Sequence, residues 1–208
     1  MSLRERKRRK TVRALLDAAG ALMSERGYEA TSVEAVAARA EVSVGTLYNH
    51  FDSKQALLLA LYVDATADVL ALAEPLVAAP PDDPLVAVLD LMRLYARELS
   101  RLDRALLRQA IAVSLTATPE VEAEMMGLDV QLMGQTAALV ATLQARGALA
   151  PLPVEAVTVT LYGTFMVAML WWIAMPGADT ASLERSLEEQ LNIVFRGLLP
   201  ANTPREAT

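Results

Sequence analysis

Three consecutive hydrogen-bonding side chains, Tyr48, Asn49 and His50, stand out because His50 is the only histidine among the 208 residues. They lie in the segment EVSVGTLYNHFDSK, residues 41–54. A histidine-based catalytic triad could use only His50, and a histidine-rich metal site is excluded. The chain has no cysteine, which excludes thiolate catalysis, thiolate zinc sites and disulfides. We therefore predict no catalytic residue, no metal and no cofactor, and we expect that the protein is not an enzyme.

Charge is unevenly distributed along the chain, whose net charge is −6. Residues 1–56 carry 10 Lys or Arg against 7 Asp or Glu, a net charge of +3, whereas residues 57–208 carry 9 against 18, a net charge of −9. The opening segment LRERKRRKTVR has seven basic residues and one acidic residue. This polarity indicates that the N-terminal part meets a polyanion, although a merely solvated basic tail has the same composition.

Apolar residues recur at helical spacing along nearly the whole chain, and almost no segment alternates in the manner of a strand. One helical run covers residues 12–23. Two shorter helices are predicted over residues 31–40 and 43–51, joined by a turn of about three residues around Glu41. Longer helices separated by proline and glycine follow residue 76. We predict an all-α fold of about nine helices.

Capping signals indicate where several of these helices begin. Thr31 with Glu34 has the spacing of a capping box, and so does Asp52 with Gln55. Asp83, which precedes a proline, is a predicted N-cap with that proline as the first helical residue. These positions are the predicted starts of three helices.

Two short helices joined by a tight turn form a helix-turn-helix, whose second helix enters the major groove of DNA. Polar side chains on that helix bind phosphates and base edges instead of filling a core. Gly45 removes bulk at the leading end of the helix, at a cost of about 1 kcal/mol relative to alanine. Leu47 and Phe51, four residues apart, form the predicted inward face.

Residues 27–58, GYEATSVEAVAARAEVSVGTLYNHFDSKQALL, closely resemble the DNA-binding domain of the TetR family of transcriptional regulators. The shared pattern comprises a Gly–aromatic pair, Thr–Ser, a helix of small residues, Val–Ser, Gly-Thr-Leu-Tyr-x-His-Phe and Lys-x-x-Leu. The rest of the chain resembles the family by length and helical layout only. Glu41 departs from the pattern, which usually has glycine or another small residue there. A glutamate held at positive φ costs about 1–2 kcal/mol.

The resemblance implies how this segment contacts DNA. Tyr48, His50 and Lys54 would contact phosphates, and the N-terminus of the second helix, at Thr31 or Ser32, would bind another phosphate. The residues placed at the DNA are Thr31, Ser32, Ser43, Val44, Gly45, Thr46, Tyr48, Asn49, His50 and Lys54.

Within this set, four residues would lie nearest the bases: Val44, Gly45, Thr46 and Asn49. Val44 and Thr46 could contact thymine methyl groups, and Asn49 could form two hydrogen bonds with adenine. The alternative is that Tyr48 only packs and His50 only caps.

The resemblance also implies a ligand-binding and dimerisation domain at residues 57–200, after a DNA-binding domain at 1–56 and before a tail at 201–208. Methionine and tryptophan favour a lipophilic or aromatic effector over a sugar. Trp171 and Trp172 point about 100° apart on a helix, and Trp171 is predicted to face the cavity. Each pocket candidate could instead belong to the plain core or the surface: Tyr62, Tyr95, Arg108, Gln109, Met125, Met133, Gln135, Met169 and Trp171.

Residues 156–178 contain no charged side chain and are long enough to span a bilayer. Threonines cluster in the first half, no basic flank marks a cytoplasmic end, and no second such segment is evident. We therefore predict that this helix is buried in a dimer interface. The charged N-terminus does not fit a secretion signal, so we expect a cytoplasmic protein that does not enter the membrane.

Together these features predict a dimeric repressor that binds a double-stranded, inverted-repeat operator and responds to a small-molecule effector. A helical ligand carrier or a small enzyme is one alternative. An activator or architectural DNA-binding protein without a ligand is another.

Overall fold

The structure is a computed structural model that describes residues 2–114 and 119–196, without the side chains of residues 65–67, 114–126 and 128. Over these residues the chain forms nine α-helices and no strand, which confirms the predicted all-α fold. The helices are α1 (Leu3–Arg26), α2 (Val33–Arg39), α3 (Val44–Tyr48), α4 (Lys54–Ala78), α5 (Pro84–Leu99), α6 (Arg104–Ser114), α7 (Pro119–Ala145), α8 (Val154–Ala174) and α9 (Thr180–Arg196).

The chain divides into two compact units. Unit 1 consists of Met1–Leu72 and Glu98–Leu132, and unit 2 consists of Ala73–Arg97 together with the chain from Met133 onward. The boundaries fall inside α4, α5 and α7. The predicted boundary after residue 56 divides the chain by function and not by compactness, so it stays a prediction.

One hydrophobic core joins α1, α2, α3, α4 and α6 within unit 1. Gly20 allows α1 to pack closely on α4, because a Cβ at this position would lie 3.3 Å from Leu61 Cδ1. Leu47 is fully buried and Phe51 is nearly so, which confirms the predicted inward face of the short helix α3. Fully buried members of this core include Leu15, Ala19, Val36, Leu47 and Leu57.

The N-terminus of α2 is capped by Ser32 and not by Thr31. Ser32 Oγ accepts a hydrogen bond from Ala35 N at 3.2 Å. The predicted capping box of Thr31 is wrong because the Thr31 hydroxyl is buried and donates to Gly27 O at 2.8 Å. Thr31 therefore closes the loop before α2 and does not cap the helix.

The cap of α4 also lies one residue after the predicted position. Ser53 Oγ accepts from Ala56 N at 3.0 Å, so Ser53 is the cap in place of the predicted Asp52. The predicted cap of α5 is confirmed, since Asp83 Oδ1 accepts from Leu85 N at 2.8 Å and from Val86 N at 3.0 Å.

In unit 2, α8 packs against α9, and both helices bury apolar side chains. Trp172 is buried and its Nε1 donates to Asp179 O at 3.0 Å, which joins α8 to the segment before α9. Ion pairs join α5 to α9. Arg97 Nε lies 2.6 Å from Glu184 Oε1, and Arg93 Nη2 lies 2.7 Å from Glu188 Oε2.

Two helices, α4 and α8, are long and apolar enough to cross a membrane by length and composition alone. Unlike residues 156–178, α4 meets this criterion although it contains charged residues, Asp64 and Asp68 among them. In α4 the apolar residues serve the protein core, since Leu57, Leu58 and Val69 are buried. In α8, Leu161, Phe165 and six other residues are buried in the same way.

Candidate DNA-binding site

The turn between α2 and α3 is closed by backbone hydrogen bonds. Val42 N donates to Ala37 O at 2.9 Å, and Glu41 N donates to Ala38 O at 3.2 Å. These two bonds form a Schellman motif, which requires a left-handed residue just after the helix. Glu41 occupies that position with φ 56°, the one positive φ outside glycine in the described part of the chain. The predicted strain at Glu41 is therefore present.

Ser43 fixes the start of α3, the predicted recognition helix. Its Oγ accepts from Thr46 N at 3.0 Å and lies 2.8 Å from Thr46 Oγ1. Gly45 is exposed, and a Cβ there would meet only Ser43 Oγ, at 3.9 Å. Packing inside the protein therefore does not require glycine at this position, and the free space lies on the outer side of the helix.

The polar side chains of α3 are presented to solvent. Tyr48 is 46% exposed and Asn49 is exposed, whereas Val44 and Thr46 are half-buried. Asn49 follows the last residue of α3 as its C-cap, and its backbone N donates to Gly45 O at 3.1 Å. A surface of Tyr48, Asn49 and Gly45 with little role in the core is what a DNA-contacting helix requires.

His50 is half-buried beside Phe51, with ring centroids 6.5 Å apart. Its Nδ1 is buried and has no hydrogen-bond partner among the described residues. A buried polar atom left without a partner is costly. The alternative in which the His50 side chain merely caps a helix through Nδ1 has no support in this geometry.

Ser32 and Thr31 differ in their access to a phosphate. Ser32 is exposed at the N-terminus of α2, whereas Thr31 is 2% exposed. Of the two residues considered at this position, Ser32 is the one that can reach a partner.

Lys54 is held by the protein itself. Its Nζ donates to Tyr28 O at 3.0 Å and lies 3.4 Å from Glu29 O. The ammonium also lies 4.2 Å from the centroid of the Tyr28 ring, within the range of a cation–π interaction. Tyr28 had no predicted role, although it belongs to the Gly–aromatic pair of the family pattern.

The basic N-terminal segment is helical and does not form a separate tail. α1 begins at Leu3, where Ser2 and Glu5 form a capping box. Residues 2–10 are all exposed, so the first turns of α1 present a dense positive charge to solvent. Arg13 differs from these residues because it pairs with Asp17 and Asp64, each at 3.0 Å.

The ligand-pocket candidates divide between the two units. In unit 1, Tyr62 is half-buried and lines a gap of about 10 Å³ between α4 and α6. Burial and the Asp129 carboxylate raise the pKa of Tyr62 to about 12. On α6, Arg108 is exposed and Gln109 is half-buried. The side chain of Met125 lies outside the described residues.

In unit 2, Tyr95 and Gln135 come together. The fully buried Tyr95 hydroxyl donates to Gln135 Oε1 at 2.9 Å, and burial raises the pKa of Tyr95 well above its ordinary value. Met133 is half-buried and Met169 is buried. The prediction that Trp171 faces inward is wrong, because Trp171 is 58% exposed. The reason is that Trp172 occupies the inward position of α8.

Comparison with known proteins identifies the N-terminal helices. A family model described as bacterial regulatory proteins, tetR family, matches residues 15–61, from the middle of α1 into α4. The N-terminal helices match the TetR family. The match includes the whole helix-turn-helix and the adjoining parts of α1 and α4. Among the described residues, no group of three or more His, Asp or Glu could hold a metal ion.

One curated relative is similar to part of this chain. The HTH-type transcriptional repressor KstR of Mycolicibacterium smegmatis is 47% identical over 75 residues, which is 33% of this chain and 35% of KstR. The matched region therefore spans about a third of that relative.

Two solved structures share the fold along most of the chain. FadR of Thermus thermophilus, in complex with lauroyl-CoA, has a TM-score of 0.70 and 24% identity, and the match covers 95% of this chain and 100% of FadR. FadR of Bacillus subtilis, in complex with stearoyl-CoA, has a TM-score of 0.67 and 20% identity, and the match covers 86% of this chain and 96% of that FadR.

Proposed function

We propose that the chain is a transcriptional repressor that binds double-stranded DNA through α3. The observation that carries the proposal is the capped helix α3, which buries Leu47 and exposes Gly45, Tyr48 and Asn49. The name of KstR, which is 47% identical to this chain over 75 residues, supports the repressor role. This function involves no enzymatic step and is exercised in the cytoplasm, where the operator is located.

In the proposed complex, Val44, Thr46 and Asn49 read base edges while phosphates are bound around them. Tyr48, His50 and the exposed Ser32 contact the DNA backbone, which fixes the register of α3 in the major groove. The basic first turns of α1 add phosphate contacts that do not depend on sequence.

A selection from random double-stranded DNA tests this proposal. The purified protein should enrich an inverted repeat whose half-sites are about one helical turn apart or a multiple of it. Binding to that repeat should be tighter than binding to unrelated DNA by a factor on the order of 10³ or more at physiological salt. Enrichment of no sequence at all would contradict the proposed function.

The repressor acts as a homodimer formed through α8 and α9. In a single chain these helices leave several large apolar side chains in solvent, which is typical of a surface that another protein covers. The exposed residues on or next to these helices are Val159, Val167, Leu170, Trp171, Met175, Ile193 and Val194. The covered surface of a dimer would bury them.

The interior of unit 2 provides polar groups suited to a small-molecule effector. The pair Tyr95–Gln135 lies in an apolar environment, and Thr158 Oγ1 is buried without a hydrogen-bond partner among the described residues. The two FadR structures hold acyl-CoA thioesters. We therefore take a lipophilic molecule as the effector class, with acyl-CoA thioesters as the first to test.

Ligand response is tested by two measurements on the same sample. Lauroyl-CoA or stearoyl-CoA should raise the melting temperature of the protein and lower its affinity for the selected operator, because the two effects are linked. A panel of lipophilic compounds extends the test. If none of them both stabilises the protein and releases DNA, the chain is a DNA-binding dimer without an effector of this class.

A further inference from the structure

Lys54 occupies an electrostatically unfavourable position for a lysine. It is the first residue of α4, and a cation at the N-terminus of a helix opposes the helix dipole. Its ammonium is instead stabilised by Tyr28 O at 3.0 Å and by the Tyr28 ring at 4.2 Å, with Glu29 O at 3.4 Å. The partners of this cation therefore belong to the protein.

These partners lie in the loop that connects α1 to α2. The loop begins at Gly27, with φ 81°. Thr31 makes two hydrogen bonds within this loop. Thr31 N donates to Tyr28 O at 3.1 Å, and Thr31 Oγ1 donates to Gly27 O at 2.8 Å. The residue after Thr31 is Ser32, the cap of α2. Lys54 thus joins the start of α4 to the segment that sets the position of the α2 N-terminus.

We propose that Lys54 is a positioning residue and not a phosphate ligand. It holds the loop at Tyr28 and Glu29, so that Ser32 is presented to the DNA backbone. The ammonium has three N–H groups for two carbonyl oxygens and an aromatic ring, so a direct contact with a phosphate would require it to give up at least one of these partners. The inference rests on the proposed DNA-binding function and assigns a role within it.

The dependence of operator affinity on salt distinguishes the two roles. Each lost phosphate contact reduces the slope of log affinity against log salt by about 1. Lys54→Met should weaken operator binding about tenfold, as expected for loss of hydrogen bonds from a charged group, with the slope unchanged. Lys10→Met, on the exposed basic part of α1, is the matched control and should reduce the slope.

A double-mutant cycle tests the connection to α2. If Lys54 positions Ser32, the loss caused by Ser32→Ala should be smaller in the Lys54→Met protein than in the wild type, because the two residues act through one element. Independent phosphate contacts would give additive losses. Tyr28→Leu removes the ring beneath the ammonium without removing a charge, and it should also weaken binding at an unchanged salt slope.

Circular dichroism and melting temperature show whether the variants are folded, and Tyr28→Leu keeps the test valid if Lys54→Met does not fold. A reduced salt slope with additive losses for Lys54→Met and Ser32→Ala would overturn the proposal in favour of a direct phosphate contact. A lower melting temperature with unchanged operator affinity would overturn it in favour of a purely stabilising role. Failure of the wild-type protein to bind any operator would instead contradict the proposed function itself.

Discussion

Ser43 Oγ lies 3.0 Å from the backbone nitrogen of Thr46 and 2.8 Å from its hydroxyl oxygen. This pair holds the first turn of α3, a helix of only five residues. Helices this short are not stable by themselves, so the cap and the packing of Leu47 determine whether α3 exists.

Ser43→Ala should therefore reduce the free energy of unfolding by about 0.5–2 kcal/mol and weaken operator binding in addition. Asp103→Ala is the control, since Asp103 Oδ1 caps α6 by accepting from Ala105 N at 2.8 Å. It should reduce stability similarly while leaving operator affinity nearly unchanged in conditions where both proteins are folded. Urea unfolding and fluorescence anisotropy provide the two readouts, and equal losses of affinity for both variants would contradict the assignment.

The exposed basic residues of α1 should contribute to affinity without contributing to sequence preference. Deletion of residues 1–10 removes six basic side chains and should reduce the salt slope of DNA binding, because fewer counterions are released. The selected consensus should stay the same. A changed consensus for the truncated protein would mean that this segment reads bases.

The exposed apolar face of α8 should be covered in the dimer. Val167→Lys, at a position 49% exposed in one chain, should give folded monomers, because the lysine is tolerated in solvent but not in an apolar interface. Val130→Lys is the matched control on α7, where the valine is 63% exposed, and it should remain dimeric. Met169 is unsuitable for this test because it is buried within its own chain. Sedimentation velocity decides the outcome, and a dimeric Val167→Lys protein would place the interface elsewhere.

The ion pair between Arg97 and Glu184 should make stability depend on pH. The hydrogen bond and charge of Arg97 lower the pKa of Glu184. A lowered pKa stabilises the folded protein above the ordinary glutamate value, and this contribution is lost as the pH falls through the lowered pKa.

Glu184→Gln should therefore cost about 0.5–1 kcal/mol at pH 7, a small value because Arg97 is largely in solvent. The difference from wild type should shrink as the pH falls below about 4. Glu189→Gln, at an exposed position of the same helix, is the control and should show little change. Urea unfolding at several pH values measures the stability of both variants. A difference between Glu184→Gln and wild type that stays constant down to pH 2 would contradict this explanation.

The sequence predicted the helix-turn-helix well because its signals are local. The spacing of Leu47 and Phe51 acts over four residues, and the left-handed conformation of Glu41 was expected from the family pattern, which usually has glycine or another small residue there. Such features need no knowledge of distant contacts.

Features that depend on distant residues were predicted less well. Lys54 meets Tyr28 across 26 positions, and nothing near Lys54 in the sequence indicates that contact. Trp171 and Trp172 are both large and apolar, so their order along α8 could not show which one meets Asp179. The pocket candidates were chosen by residue type alone. Only the folded structure shows that the Tyr95 hydroxyl donates a hydrogen bond to Gln135.

The measurement that most directly tests whether α3 reads DNA sequence is a selection from random double-stranded DNA with the wild type, Asn49→Ala and Tyr48→Phe. We expect the wild type to select an inverted repeat. Asn49→Ala should lose preference at one position of each half-site, by about 1–3 kcal/mol for a good base contact. Tyr48→Phe should bind all sequences more weakly with the same consensus. An Asn49→Ala consensus identical to that of the wild type would contradict base reading by this residue. A wild type that selects no repeat would contradict the proposed function of α3 in reading DNA sequence.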